Sequence, residues 1–363
     1  MSSWRVPPGA RHGMSLMVGA NSEKRRTNAT EQTTGLLFFL LFLSVLLCET
    51  TALAEVTVDS SATLFYTDDV ALFSATRRLN LHGDPTQPAL DTSLTGKGSD
   101  MVIEPDLVVS KLIASSWGQT ALSIKAQGFL YAVNPQFNQA SAGLEALHSF
   151  TPDTAIRLRY YTAPDQLLGD NEERRSGTHS IQEERVTSHV GSLRFEQRLS
   201  ENWEVRILGR VGARLYNEAF SQRDTTFWTI GPHLAWRVRE GLKLILGYHY
   251  ERGLADGRNQ PQYKDDVSYI NNYVTAGVEA ELTRRLSLEM AAHFERNNWT
   301  STIVGDERNG AHETIVQGEM LFQYRLTDQA QLTCGFQRSQ RRQSFEHEGV
   351  FNTNVSMGAS YRF

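Results

Sequence analysis

The clearest pattern in this chain is the alternation of apolar and polar residues over its last fourteen positions. Apolar side chains, with one Thr, occupy every second position from Phe351 to Phe363, and Asn, Ser, Gly and Arg occupy the positions between. A period of two is the spacing of a β-strand whose two faces meet different media. The pattern therefore predicts a terminal strand with one apolar face, ending on an aromatic residue.

Segments of the same kind recur along the chain, and they predict fourteen strands, although twelve or sixteen remain open. The faces separate clearly in the segment that begins at Trp203, where Val205, Ile207 and Val211 share one face and Arg206 and Arg210 the other. The fourteen predicted strands lie near 61–75, 102–114, 120–133, 138–150, 155–162, 186–199, 203–217, 225–238, 242–251, 268–282, 286–300, 313–326, 330–342 and 350–363.

The connections between these strands alternate between short and long. Short ones, such as Ser200 to Asn202, Arg239 to Gly241 and Thr283 to Arg285, alternate with long ones rich in Gly, Pro, Asn, Asp and charge, such as 163–185 and 252–267. Short turns at one rim and long loops at the other are typical of membrane β-barrels of the bacterial outer membrane. We expect the short turns to face the periplasm.

The first 54 residues have the pattern of an export signal. Lys24, Arg25 and Arg26 precede an apolar run from Leu36 to Cys48, and Ala52-Leu53-Ala54 supplies small residues for cleavage. Thirteen apolar residues are too few for a membrane-spanning helix, which needs roughly 20. We therefore predict a signal peptide over 1–54, with an undecided start methionine, and a mature chain over 55–363.

The terminal pattern of Val355, Met357, Ala359, Tyr361 and Phe363 resembles the C-terminal signature of bacterial outer-membrane β-barrels. With the signal segment and the hairpin repeat, the whole of 55–363 resembles a porin-like member of that group. The resemblance implies an all-β, transmembrane, antiparallel up-and-down barrel in the outer membrane of a Gram-negative bacterium. It also implies lipid around the barrel and recognition of Phe363 by the barrel-assembly machinery.

Charged residues on the polar faces predict a charged lumen. Arginines gather on predicted strands five to eight and carboxylates on strands ten to twelve, so charges of opposite sign are expected on different walls of a water-filled pore. The alternative is that neighbours pair, as Arg194 with Glu196 or Arg206 with Glu204. The candidate pore-lining residues are Arg157, Arg159, Arg194, Arg206, Arg210, Arg214, Arg237, Glu279, Glu281, Glu289, Glu295 and Glu319.

Fourteen strands enclose an interior too wide for side chains alone to fill. The charged segment from Pro164 to Arg185 is long enough to fold inward and constrict the pore, and His82 to Asp100 is a second candidate. The alternative is that these loops stay outside.

Composition removes several other functions. A formal net charge of −5 argues against a nucleic-acid partner. Only Cys334 remains after cleavage, so no intrachain disulfide is expected. His249-x-Glu251 and His293-x-Glu295 place pairs of potential ligands on one strand face, but zinc needs three or four ligands. We expect no metal, no cofactor and no catalytic residues.

The sequence thus predicts a channel for small polar or charged solutes, and not an enzyme. Two alternatives stay open: an export barrel for a secreted polysaccharide, and an outer-membrane hydrolase with its active groups near the outer rim. The solute, the gating and the oligomeric state are not determined by these patterns.

Overall fold

A computed structural model of the protein describes residues 55–70, 73, 98–344 and 349–363. The predicted signal peptide, 1–54, lies outside the described residues. In the described part no helix is long and apolar enough to cross a membrane.

The chain forms one closed antiparallel barrel in which every strand pairs with its neighbours in sequence, and β1 pairs with β14 to complete the ring. The predicted all-β, fourteen-strand, up-and-down barrel is confirmed. The strands are β1 (Glu55–Thr67), β2 (Asp100–Ser115), β3 (Gly118–Tyr131), β4 (Gln139–Thr151), β5 (Thr154–Glu172), β6 (Ile181–Arg198), β7 (Trp203–Tyr216), β8 (Thr225–Arg239), β9 (Leu242–Ala255), β10 (Tyr269–Glu281), β11 (Leu286–Trp299), β12 (His312–Arg325), β13 (Ala330–Gln343) and β14 (Val350–Arg362).

The long connections at the opposite rim from the tight turns contain short 3-10 helices. These helices are Pro135–Phe137, Glu218–Arg223, Asp256–Asn259 and Pro261–Tyr263. The tight turns use glycine where the backbone needs it: Gly118 and Gly241 have φ values of 132° and 73°, a region that L side chains rarely adopt. A Cβ on Gly118 would lie only 2.1 Å from the carbonyl oxygen of Ser149.

The two faces of the wall follow the predicted alternation. Val211 is 64% exposed on the outside, while Arg210 lines the interior. Aromatic residues on the outer face lie near strand ends, and the rings of Trp203 and Trp236 stack at 5.4 Å between β7 and β8. A closed ring of backbone hydrogen bonds with an apolar outer surface satisfies the requirement for crossing a bilayer with strands.

The first strand differs from its prediction over 61–75. It begins earlier, at Glu55, because residues 55–58 still pair with β2. It ends at Thr67, because Asp68 turns the chain: its carboxylate accepts a 2.7 Å hydrogen bond from the backbone N–H of Thr353.

The predicted extent of the long loop, 163–185, is wrong. β5 continues to Glu172 and β6 starts at Ile181, so most of this segment is a hairpin that extends beyond its neighbours. Pro164 and Asp165 indicated a loop, but register shifts between Ala163 and Gln166 and between Leu167 and Gly169 absorb them.

The connection that follows β1 starts inside the barrel. Phe73 is fully buried, and its ring packs edge-on against Phe65 at 5.3 Å and Tyr131 at 6.1 Å, both of which point inward from the wall. Val70 is also fully buried in this cluster. Apolar side chains thus fill part of the interior near the long-loop rim.

Candidate functional site

The barrel encloses a charged cavity of about 570 Å³, lined by inward-facing residues of strands β2 to β11. We call this space the chamber. Eight of the twelve residues predicted to line a pore are on its wall: Arg157, Arg159, Arg194, Arg206, Arg210, Arg214, Glu279 and Glu295.

The other four predicted residues lie elsewhere. Arg237 and Glu281 are exposed near the short-turn rim, where β8 and β10 meet their tight turns. Glu289 and Glu319 face inward on β11 and β12 but do not reach the chamber wall. The period-two pattern assigned the face of these four residues and could not assign their height along the barrel.

Arginines of β5 and β6 share carboxylates with their neighbours. Arg157 and Arg159 both donate to Glu145 on β4. Arg157 Nε also lies 3.1 Å from Glu196, and Arg194 lies 2.8 Å from the same carboxylate. Because each carboxylate serves two guanidinium groups, these side chains are fixed against the wall instead of extending across the chamber.

A second group of fixed charges lies on β7 to β10. Arg210 Nη2 lies 3.0 Å from Glu251, and Thr229 Oγ1 donates to the same carboxylate at 2.6 Å. Arg214 donates to the hydroxyl of Tyr269 at 2.8 Å, which in turn donates to Glu251 at 2.7 Å. Both carboxylate oxygens of Glu251 thus have partners, and two arginines lie beside them.

The pairing of neighbours offered as the alternative in the sequence analysis is present, since Arg194 pairs with Glu196 and Arg206 with Glu204 at 2.5 Å. It does not neutralise this side of the chamber. Six arginines line it, and the four carboxylates that pair with them are Glu145, Glu196, Glu204 and Glu251. Six positive against four negative charges leave a formal charge of +2 there.

Carboxylates on the far side have mainly amide partners. Gln323 donates to Glu289 at 2.6 Å, and Asn271 donates to Glu295. Glu319 accepts from Gln337 at 3.1 Å and lies 3.3 Å from a ring nitrogen of His293. An amide stabilises a carboxylate without cancelling its charge, so this wall keeps negative charge opposite the arginines.

Two histidines that the sequence analysis did not select as lining residues form part of the chamber wall. The Nε2 atoms of His233 on β8 and His249 on β9 lie 2.6 Å apart. Each ring lies over a glycine of the other's strand, since a Cβ on Gly231 would lie 1.9 Å from His249 and one on Gly247 would lie 2.8 Å from His233. The reciprocal His–Gly placement on adjacent strands was a signal that the sequence contained.

A buried set of ion pairs joins several connections at the long-loop rim. Arg223 binds Asp265 through two hydrogen bonds of 2.8 and 3.0 Å and lies 2.7 Å from Glu184. Arg308 lies 3.1 Å from Asp265. We call Glu184, Arg223, Asp265 and Arg308 the loop ion cluster; the connections after β7, β9 and β11 and strand β6 each contribute one member.

The charge of Asp265 is maintained although no water reaches its side chain. Burial raises the pKa of this carboxyl group. The adjacent Arg223 and Arg308 lower the pKa by more than burial raises it, so that it falls to about 2. Gln222 contributes a 2.7 Å hydrogen bond. Asp265 therefore carries its negative charge throughout the neutral pH range.

The tip of the β5–β6 hairpin reaches loops from other parts of the rim. Arg174 donates to the carbonyl oxygen of Lys264 at 2.7 Å and lies 3.6 Å from Glu307. The segment from Pro164 to Arg185, a candidate for folding inward as a loop, forms a hairpin that contacts other connections at the rim. Of the second candidate segment, 82–100, residues 82–97 lie outside the described residues.

The arrangement offers fixed charges and hydrogen-bond donors to a passing solute. Lys243 and Glu279 add another pair at 3.0 Å. Within the described residues, no three His, Cys, Asp or Glu side chains converge on a possible metal position. His249 lies against His233, and His293 against Glu319, as described above.

Comparison with known proteins adds evidence on the fold. No family model and no curated protein sequence matches the chain. Among solved structures, it is similar to the outer membrane channel DcaP of Acinetobacter baumannii, with 11% identity and a TM-score of 0.50 over 85% of this chain and 97% of that one. Identity this low supports the fold alone, which is that of the bacterial outer-membrane β-barrels.

Two further structures are similar at lower scores. OmpT, an outer membrane protein of Vibrio cholerae, has 7% identity and a TM-score of 0.46 over 85% of this chain and 97% of that one. An anion-selective porin from Comamonas acidovorans has 8% identity and a TM-score of 0.42 over 85% and 99%.

Proposed function

We propose that the protein is a porin-like channel of the bacterial outer membrane that passes small polar or charged solutes. The observation that carries this proposal is the charged chamber inside a closed barrel whose outer surface is apolar. A soluble barrel would bury its apolar face, whereas here Val211, Leu158 and Met357 are 64%, 57% and 68% exposed on the outside.

The distribution of charge gives the chamber one wall that attracts anions, opposite a wall that carries carboxylates. Six arginines and four paired carboxylates give the β5–β8 side of the chamber a formal charge of +2, and arginine remains charged at any accessible pH. At physiological salt, screening limits the reach of these charges to about 8 Å. They act on a solute only because it must pass within that distance of the wall.

The test is the reversal potential of the purified protein in planar bilayers under a salt gradient. We expect single channels, and Arg206→Glu with Arg210→Glu should shift the reversal potential toward cation selectivity. Arg237→Glu is the matched control, because it changes the same charge on β8 outside the chamber and should shift the potential much less.

A protein that inserts and folds but never conducts would exclude the open-pore function. The exporter of a polysaccharide and the hydrolase would then be separated by incubating the same preparation with phospholipid and peptide substrates. We propose transport over hydrolysis because the inward charges described above pair with one another or with amides and do not form a nucleophile and base.

A further inference from the structure

A group of three arginines lies on the outside of the barrel near the long-loop rim. Arg296 on β11 and Arg338 and Arg342 on β13 are exposed and point away from the chamber. We call these three the outer arginine patch. In the strand register Arg296 pairs with Thr314, and Thr314 pairs with Arg342, so the two arginines are level on either side of β12.

The patch has positive charge without carboxylate partners among the described residues. Arg296 donates to Asn298 at 3.2 Å. Arg338 donates to Thr353 at 3.3 Å, and its guanidinium group lies 5.5 Å from the centre of the Phe351 ring. An arginine in this position, at the edge of an apolar surface, can extend its charged end toward head groups while its stem covers apolar atoms.

From Arg296 and Arg342 toward the middle of the barrel, the outer wall is apolar and contains a depression. Phe294 and Val316 are 43% and 51% exposed and are cross-strand neighbours. Two residues further along these strands, on the same face, Ala292 is paired with Gly318, and a Cβ on Gly318 would meet no atom within 4 Å. The outer wall is therefore recessed at these two small residues.

We propose that the outer arginine patch binds a phosphorylated glycolipid of the outer leaflet. Its phosphate groups contact Arg296 and Arg342, and one acyl chain lies along the depression at Gly318. Two strand spacings separate these arginines by about 10 Å, a distance comparable to the length of a disaccharide head group. Guanidinium groups bind phosphate through two parallel hydrogen bonds.

The leaflet follows from the position of the patch. In barrels of this kind the long loops face the outside of the cell, and the patch lies at the long-loop ends of β11 and β13. The lipid it meets there is the glycolipid of the outer leaflet and not the phospholipid of the inner one. This inference rests on the proposed membrane location and goes beyond the channel function.

Native mass spectrometry of the full-length protein in detergent tests the proposal. The probes are lipid A, the same lipid after enzymatic dephosphorylation, and phosphatidylglycerol. We expect lipid A to bind about tenfold more tightly than either of the others, since charge-assisted contacts to phosphate are lost in one and the disaccharide in the other.

The variants separate the patch from general surface charge. Arg296→Gln with Arg342→Gln should weaken lipid A binding about tenfold. Arg284→Gln, which changes an exposed arginine in the short turn before β11 at the opposite rim, is the matched control and should leave binding unchanged. Gly318→Leu fills the depression and should weaken binding of lipid A without changing any charge.

Equal binding of phosphorylated and dephosphorylated lipid to the wild-type protein would overturn the proposal whether or not the variants fold. So would an equal loss in Arg284→Gln and in the double variant. Conductance of the double variant in bilayers without glycolipid should equal that of the wild type. Loss of conductance in both proteins would instead contradict the proposed channel.

Discussion

Arg223 and Asp265 form a two-point ion pair between the connection after β7 and the connection after β9. The Nε–Oδ2 and Nη2–Oδ1 distances are 2.8 and 3.0 Å, and the exposed fractions of the two residues are 5% and 0%. Breaking a buried pair by removing one partner typically costs about 3–5 kcal/mol, because the other charge stays buried without compensation. The pair therefore holds these two connections together at the long-loop rim.

Arg223→Ala should open this arrangement and increase single-channel conductance. The physical reason is that Asp265 and Glu184 lose their shared partner and become solvated only if the loops separate. Single-channel recording in planar bilayers is the measurement. The control is Arg258→Ala, which removes an exposed arginine from the same rim; an equal increase there would contradict a specific role for the cluster.

The closed arrangement should persist at neutral pH and open only in strong acid. The pKa of Asp265 is lowered from about 3.8 to about 2 in the folded protein, so its contribution to stability is complete above pH 3.8. It is lost as the pH falls through 2, because protonation then removes the charge that Arg223 and Arg308 require. This difference corresponds to roughly 2 kcal/mol.

Single-channel conductance measured from pH 8 to pH 2 checks whether protonation of Asp265 opens the loops. The wild-type protein should show constant conductance down to about pH 4 and a rise between pH 4 and pH 2. Asp265→Asn cannot titrate at this position, so a rise of the same size in that variant would assign the transition to a different group.

The two faces of β7 should differ in access to water. In a Cys334→Ser background, Cys at position 210 should react with a hydrophilic thiol reagent and Cys at position 211 should not, because Arg210 lines the chamber and Val211 faces outward. Val211→Arg should cost about 2–4 kcal/mol in urea unfolding from lipid vesicles if the residue is near the bilayer midplane. Equal labelling at both positions would contradict the face assignment.

Phe363 should be needed for assembly in cells more than for stability. Its ring is 70% exposed and contacts Tyr361 at 4.6 Å between centroids, while its backbone N–H donates to Val58 at 2.9 Å. Phe363→Ser keeps that backbone hydrogen bond and should lower the amount of heat-modifiable protein in outer-membrane fractions. Refolding of the same variant in detergent should be close to normal; a refolding defect as large as the defect in cells would assign a structural role instead.

The sequence was sufficient to predict the parts of this fold that depend on local periodicity. The strand number, the tight turns and the faces of β7 and β14 follow from alternation over ten to fifteen residues, which requires no knowledge of partners. The extent of β5 and β6 did not follow, because bulges near Pro164 and Gly169 let a polar segment with turn residues remain in a hairpin.

The candidate site could also be predicted only in part. Arg210 and Arg214 could be placed on the inner face, but their pairing with Glu251 depends on the register between three strands. Glu184, Arg223, Asp265 and Arg308 carry no common pattern in sequence, and only the folding of the connections at the rim brings them together. Local alternation therefore predicts which charges face inward and does not predict which charges meet.

The loop ion cluster has a consequence for how other molecules recognise this protein at the cell surface. Because Glu184, Arg223, Asp265 and Arg308 come from different connections and lock them together, the exposed surface at this rim is a composite of segments distant in sequence. An antibody or a bacteriophage fibre that binds the protein with this cluster intact recognises a discontinuous epitope. Peptides copied from any single loop should compete poorly for such a binder.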